Sequence, residues 1–346
     1  MRRSLVIALA LVLATVAAHQ ELSAQGPPPA AATPCTSVTG LDLVCGQAAP
    51  EDLVVLPGGQ WVAASAYTNP GGVQLIRVTD KTSVHAYPSP TSKTRFDAKT
   101  YAGCPGPPGA NGAMFTTHGL WIEPGRGPVV KLFVVGHGSR ESIEVFEVDT
   151  GGSTPVLTWI GCAIAPDPIG LNSVRGLSDG GFIASNFLAR GISAEERQRM
   201  LDGAKNGELW EWHTVSGWKK VPGSEASGAN GLEMSADGKT LYVSAWGSQS
   251  FFRLSRGTAT PSRQEVPLGF RVDNIRLARD GSLLAVGQGQ GSTDIVRIDP
   301  KTLKVTPILH RTDDGAFRSG TVAVEIGDRL WVGSFMGDRI AIFPNR

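Results

Sequence analysis

Polar and apolar positions alternate along most of this chain, and the alternation is organised into a recurring phrase. Each phrase has a short polar or acidic step, an apolar run, a Gly/Asp turn and a second alternating run. It appears as EDLVVLPGGQWVAAS from Glu51, HGLWIEPGRG from His118, LNSVRGLSDGGFIAS from Leu171, ANGLEMSADGKTLYVSAW from Ala229, VDNIRLARDGSLLAVG from Val272 and GTVAVEIGDRLWVGS from Gly320. Copies at roughly fifty-residue spacing predict a radial or stacked repeat, because one unit alone cannot bury its apolar face.

Further period-2 segments lie between the phrases, among them LFVVGHG, IEVFEVD, FFRLSRG, TDIVRID and RIAIFP. Alternation rich in β-branched and aromatic residues predicts half-buried strands, about four in each interval. The expected fold is all-β, a six-bladed β-propeller, in which radial packing buries both faces of each sheet. Two stacked sandwiches would not require six copies of one phrase. Ser193 to Asn206, SAEERQRMLDGAKN, breaks the pattern. Ser193 and Glu196 have capping-box spacing, so a short inserted helix is predicted, either a lid over the propeller mouth or a solvated surface helix.

MRRSLVIALALVLATVAA has two arginines, a short apolar run and small residues behind it, the pattern of a secretory signal peptide over residues 1–24. Residues 25–45 then form a Pro/Ala-rich N-terminal segment and residues 46–346 the propeller, with a secreted or periplasmic location and no stable membrane anchor. A net charge of +1, from 32 basic and 31 acidic residues without a basic run, argues against nucleic acid as a partner. Export permits disulfides among Cys35, Cys45, Cys104 and Cys162. Of three possible pairings we favour Cys35 with Cys45 and Cys104 with Cys162; the spacings do not fit structural zinc. The sequence does not set the oligomeric state.

In a propeller, equivalent positions on the innermost strands converge on the central axis. The phrase openings supply Glu51, Asn172, Asn230, Asp273 and Asn274, two carboxylates and three amides. This all-oxygen set suits a hard divalent cation, Ca2+ in preference to Zn2+ or Mg2+. His118 opens the second phrase, and His137 ends the next alternating run. Paired strands would bring both imidazoles to one mouth, where one could take a proton from water and the other orient or relay it.

With these phrases the chain resembles the paraoxonase family, calcium-dependent lactonases and arylesterases, within the wider gluconolactonase-like and strictosidine-synthase-like propellers. The resemblance runs from about Pro50 to Phe343 through EDLVVLPGG, THGLWI, VVGHGSRESIEVFEV, LNSV, ANGLEMSADGKTLYV, VDNI and GTVAVEIGDRLWVGS. It implies a catalytic calcium on Glu51, Asn172, Asn230, Asp273 and Asn274, and a catalytic pair His118 and His137. It also implies a second, structural calcium on Asp52 and the Leu120 carbonyl, although Ser173 stands where the family pattern has an Asp. The disulfide by which mammalian members tie the N-terminal segment to the last strand has no counterpart in DRIAIFPNR, so ring closure is expected from hydrogen bonds alone. The lipoprotein-anchoring elements are missing as well.

The expected activity is hydrolysis of a small-molecule lactone or aryl ester, with Asp273 as an alternative base to His118. No GxSxG elbow occurs, so no serine nucleophile is implied. Phe115, Trp121, Phe187, Trp246 and Phe335 are candidate pocket aromatics. The competing readings are a gluconolactonase-like sugar lactonase, which would use an acidic base, and a non-catalytic secreted calcium-binding propeller.

Overall fold

In the computed structural model, residues 41–345 are described, apart from 91 and 126. The strands form six small sheets, antiparallel except for Lys93–Thr94, which pairs parallel with Val156–Ile164, and their innermost strands follow one another around a central axis. The protein is a six-bladed β-propeller. The innermost strands are Leu53–Val55, Phe115–Ile122, Leu171–Gly176, Ala229–Met234, Arg271–Leu277 and Gly320–Ile326, which we number blades 1 to 6. Four lie within a copy of the repeated phrase and two, Phe115–Ile122 and Arg271–Leu277, begin just ahead of theirs; the Gly/Asp turn of each phrase leads into the second strand of its blade.

The ring closes in blade 6, where Asp42–Cys45 pairs antiparallel with Arg339–Pro344, Asp42 opposite Ile342 and Cys45 opposite Arg339. Backbone hydrogen bonds thus hold the closure. The Cys104–Cys162 disulfide ties the Pro/Gly-rich loop before blade 2 to that blade's outer strand Val156–Ile164. The signal peptide and Cys35, with its expected bond to Cys45, lie outside the described residues; no described cysteine is free. No described helix is long and apolar enough to cross a membrane.

Apolar side chains fill the wedges between blades. Phe146, Trp159 and Phe182 are fully buried in the largest cluster, where Phe182 stacks on Trp212 with ring centroids 5.1 Å apart. Aromatic side chains each bury a large area, and stacked or edge-on pairs add a modest gain beyond that burial. The inserted helix is Ala194–Leu201, between the second and third strands of blade 3. Its capping box forms as the sequence predicts, Glu196 N–H donating to Ser193 Oγ and Ser193 N–H to Glu196 Oε2.

Candidate functional site

On four of the six innermost strands the register slips at the same place. His118 and Gly119 face one partner position, as do Asn172 with Ser173, Asn230 with Gly231, and Asp273 with Asn274. A related slip leaves Thr321 unpaired on blade 6. Such a β-bulge places two residues opposite one and re-aims the side chain. It turns the polar opening of these phrases toward the axis, and in blade 5 the two consecutive residues Asp273 and Asn274 both reach the site; Glu51 gets there without a bulge, from just ahead of the blade 1 strand.

Glycine at two of these bulges follows from how closely neighbouring blades approach. A Cβ on Gly119 would lie 2.4 Å from the Asn172 carbonyl oxygen, and one on Gly231 would lie 2.5 Å from that of Asp273. The bulges of adjacent blades therefore interlock backbone to backbone.

Glu51, Asn172, Asn230, Asp273 and Asn274 are all buried. Asn274 Nδ2 donates to Glu51 Oε1 at 2.6 Å, and Gln288 Nε2 donates to Asp273 Oδ2 at 2.9 Å. Glu51 Oε2, Asn172 Oδ1, Asn230 Oδ1 and Asn274 Oδ1 are buried acceptors with no hydrogen-bond partner among the described residues. Four orphaned oxygens in one ring are costly, since each buried acceptor loses water without replacement. Burial, followed by the charge of Asp52, pushes the Glu51 carboxyl well above its ordinary range. Burial and the charge of Glu51 do the same to Asp273. Orphaned oxygens and two strained carboxyls are what a hard cation would satisfy, so the donor set fits Ca2+. Among the described residues no group of three or more His, Cys, Asp or Glu is arranged for a metal; this ring draws three of its five donors from amides.

His118 and His137 come from paired strands of blade 2 and meet, His118 Nδ1 lying 3.0 Å from His137 Nε2. His118 Nε2 faces the ring, 3.3 Å from Asn172 Nδ2 and 3.6 Å from Glu51 Oε2. Burial, aided by the charge of His137, pushes the pKa of His118 down to about 3. Two further residues complete this corner. The Glu141 carboxylate lies 2.9 to 3.0 Å from His137 Nδ1, and the Tyr67 ring lies 4.3 Å from that of His118. Both were missed in the sequence. Glu141 stands four residues after His137, where a tight hairpin returns the chain, and that spacing was a usable signal; Tyr67 follows the strand Trp61–Ala66, just past the end of the first phrase, and gave none.

Asp52 and the Leu120 carbonyl also meet, but around a guanidinium. Arg276 ion-pairs with Asp52, donates from Nη2 to the Leu120 carbonyl at 3.0 Å and from Nε to the Leu53 carbonyl at 3.2 Å. The N–H groups of Leu53 and Leu120 donate to Asp52 Oδ1 and Oδ2 at 2.8 and 2.7 Å. These groups do not fit a second calcium: their acceptors are saturated and the positive charge is already supplied. Arg276 follows the ligand phrase by two residues, and nothing in its sequence context announces that it reaches across the axis.

A cavity of about 630 Å3 opens above the His pair, lined by Tyr67, Phe187, Leu188, Ile192 and, from the inserted helix, Arg197. The helix thus overhangs the mouth. Among the candidate aromatics, Phe187 lines this cavity and Trp246 packs edge-on against it at 5.7 Å. Trp121 lies at the opposite end of the tunnel beneath Arg175, 4.3 Å from its ring, and Phe115 is packed in the core against Tyr87. The reason is distance along the strand: Trp121 lies beyond the bulge, toward the far end of the axis.

No protein-family model and no curated relative matches the sequence. Solved structures match in fold. A luciferin-regenerating enzyme is 14% identical over 88% of this chain and 94% of that chain, with a TM-score of 0.55. Regucalcin from Agrobacterium tumefaciens, described as a calcium-binding protein, is 14% identical over 86% and 91%, with a TM-score of 0.52. A protein assigned as a gluconolactonase is 15% identical over 89% and 93%, with a TM-score of 0.53. At such identities the likeness establishes the fold alone.

Proposed function

We propose that the protein is a calcium-dependent hydrolase of lactones or aryl esters, its ion held by Glu51, Asn172, Asn230, Asp273 and Asn274. The observation that carries this reading is the convergence of four buried oxygens without a hydrogen-bond partner among the described residues, those of Asn172, Asn230 and Asn274 at equivalent bulges and that of Glu51 just ahead of the blade 1 strand. Fold neighbours described as calcium-binding or as lactonases support it at the level of reaction class. A bound Ca2+ would polarise the substrate carbonyl and stabilise the oxyanion that develops on attack.

The chain's own groups supply the rest. His118 is neutral at physiological pH and its Nε2 is turned to the ring; burial makes it a weak base, so taking a proton from the attacking water there depends on His137 and Glu141 behind it to stabilise the charge that forms. Nδ1 then shares its proton with His137 Nε2. Tyr67 covers one face of His118 and limits water access to it. Phe187, Leu188 and Ile192 give the mouth an apolar wall, which favours a substrate with an apolar acyl or leaving group over a sugar lactone. Export of the chain, as its first residues imply, would place this activity outside the cytoplasm.

The test combines calorimetric Ca2+ titration with hydrolysis of phenyl acetate and of lactones of increasing chain length, with and without chelator. The expected results are one ion per chain, chelator-sensitive turnover, and losses of about 10²- to 10⁴-fold in kcat for His118→Gln. Turnover unchanged by chelator and by both His118→Gln and Asp273→Ala would remove the mechanism. A chain that binds calcium but turns over no ester or lactone would instead be the non-catalytic binding propeller.

A further inference from the structure

We propose that Glu141, through the two imidazoles, dictates which way the Asn172 amide faces and so assembles the calcium ring from outside it. This rests on the reading above. Glu141 is 4% exposed and sits in the turn between the strands Val129–Gly138 and Ser142–Asp149. Its Oε1 accepts the N–H of Leu171 at 2.6 Å, the residue just before Asn172, and its carboxylate faces His137 Nδ1. One buried side chain therefore touches both the imidazole pair and the strand that carries a candidate ligand.

With one proton on each imidazole and an ionised Glu141, the hydrogen-bond chain has one consistent set of proton positions. A carboxylate only accepts, so His137 carries its proton on Nδ1 and its Nε2 is bare. A bare His137 Nε2, 3.0 Å from His118 Nδ1, places a proton on that nitrogen. His118 Nε2 is then bare in turn, and the group 3.3 Å from it must be a donor, which is Asn172 Nδ2. With Nδ2 so engaged, Asn172 Oδ1 is left without a partner and available to a cation. Outer partners of this kind commonly set ligand orientation, and removing one costs about 10- to 100-fold in metal affinity. Glu141 acts through others and is a positioning residue.

Glu141→Gln reverses the logic at nearly constant volume. With its oxygen kept on Leu171 N–H, the new amide presents a donor to His137 Nδ1. His137 then protonates on Nε2, His118 follows, and the proton on His118 Nε2 opposes Asn172 Nδ2. Histidine 15N spectra of the full chain, recorded near neutral pH without metal, read these positions directly. In the natural protein both His137 and His118 should carry the proton on Nδ1; a proton on His137 Nε2 would overturn the proposal. Glu141→Gln should invert both and weaken Ca2+ binding by about 10- to 100-fold, whereas Glu141→Asp, still an acceptor, should keep both tautomers and most of the affinity. Equal weakening by Gln and Asp would reduce Glu141 to a space-filling role and refute it. If Glu141→Gln does not fold, the spectra of the natural protein decide alone. If the natural protein binds no Ca2+, the hydrolase reading fails, while the tautomer result still decides what Glu141 does.

Discussion

Replacing Arg276 by Met removes a cation from the centre of the molecule while keeping most of its apolar stem. Arg276 is 7% exposed and bonds to Asp52 and to the carbonyls of Leu53, Leu120 and Ile275, joining blades 1, 2 and 5. Asp52 is fully buried, and burial is the main influence raising its carboxyl, with Arg276 the first to lower it. Without Arg276 that carboxylate is uncompensated, and removing one partner of a buried pair costs about 3–5 kcal/mol. At the 2–4 °C per kcal/mol typical of domains of this order of size, unfolding should move down by roughly 10 °C in chelator. Far-UV circular dichroism melts at fixed pH measure the shift. Arg276→Met with Asp52→Asn should regain part of the loss, since the stranded charge is then gone. Ca2+ should raise the melting temperature of Arg276→Met more than that of the natural protein, because Asp52 and the Leu120 carbonyl become available to an ion. A melt of Arg276→Met within 2 °C of the natural protein would show that the guanidinium is not the structural cation.

Two further outcomes are expected. Glu51 and Asp273 have carboxyls raised in the folded state, so the folded protein binds more protons than the unfolded chain. Without metal, their contribution to stability is therefore fully present below about pH 4, the unfolded carboxylate range, and is lost as pH rises through their folded values. The metal-free natural protein should lose stability relative to Glu51→Gln/Asp273→Asn as pH is raised, and saturating Ca2+ should cancel that difference; parallel stability curves for the two proteins in chelator would contradict the assignment. Gly231→Ala drives a methyl into the Asp273 carbonyl and the Asn274 Cα, 2.5 and 2.8 Å from the new carbon. It should destabilise by about 1–3 kcal/mol and weaken Ca2+ binding, and an unchanged calorimetric titration would argue against interlocked bulges.

The repeated phrase determined a great deal by itself. Strand alternation, phrase spacing and Gly/Asp turns pointed to six blades, because radial packing of about four short strands per phrase buries both faces of each sheet. The capping box at Ser193 and Glu196 is a local hydrogen-bond pattern, so the helix was legible too. Side-chain oxygens recurring at one register pointed to Glu51, Asn172, Asn230, Asp273 and Asn274, since equivalent positions on a ring must converge on its axis. What the sequence could not carry were contacts that depend on distances across that axis. Arg276 sits in an ordinary strand position, and only the tertiary structure brings its guanidinium to Asp52, 224 residues away along the chain. Trp121 read like a pocket residue until the direction of its strand placed it at the far end. Glu141 became meaningful only when the hairpin and the neighbouring blade brought His137 and Leu171 to one carboxylate. Periodicity records which face of a strand is buried, but the partner met on that face is settled by how the blades close, and hydrogen bonds form or fail over tenths of an ångström that no pattern of residue types encodes.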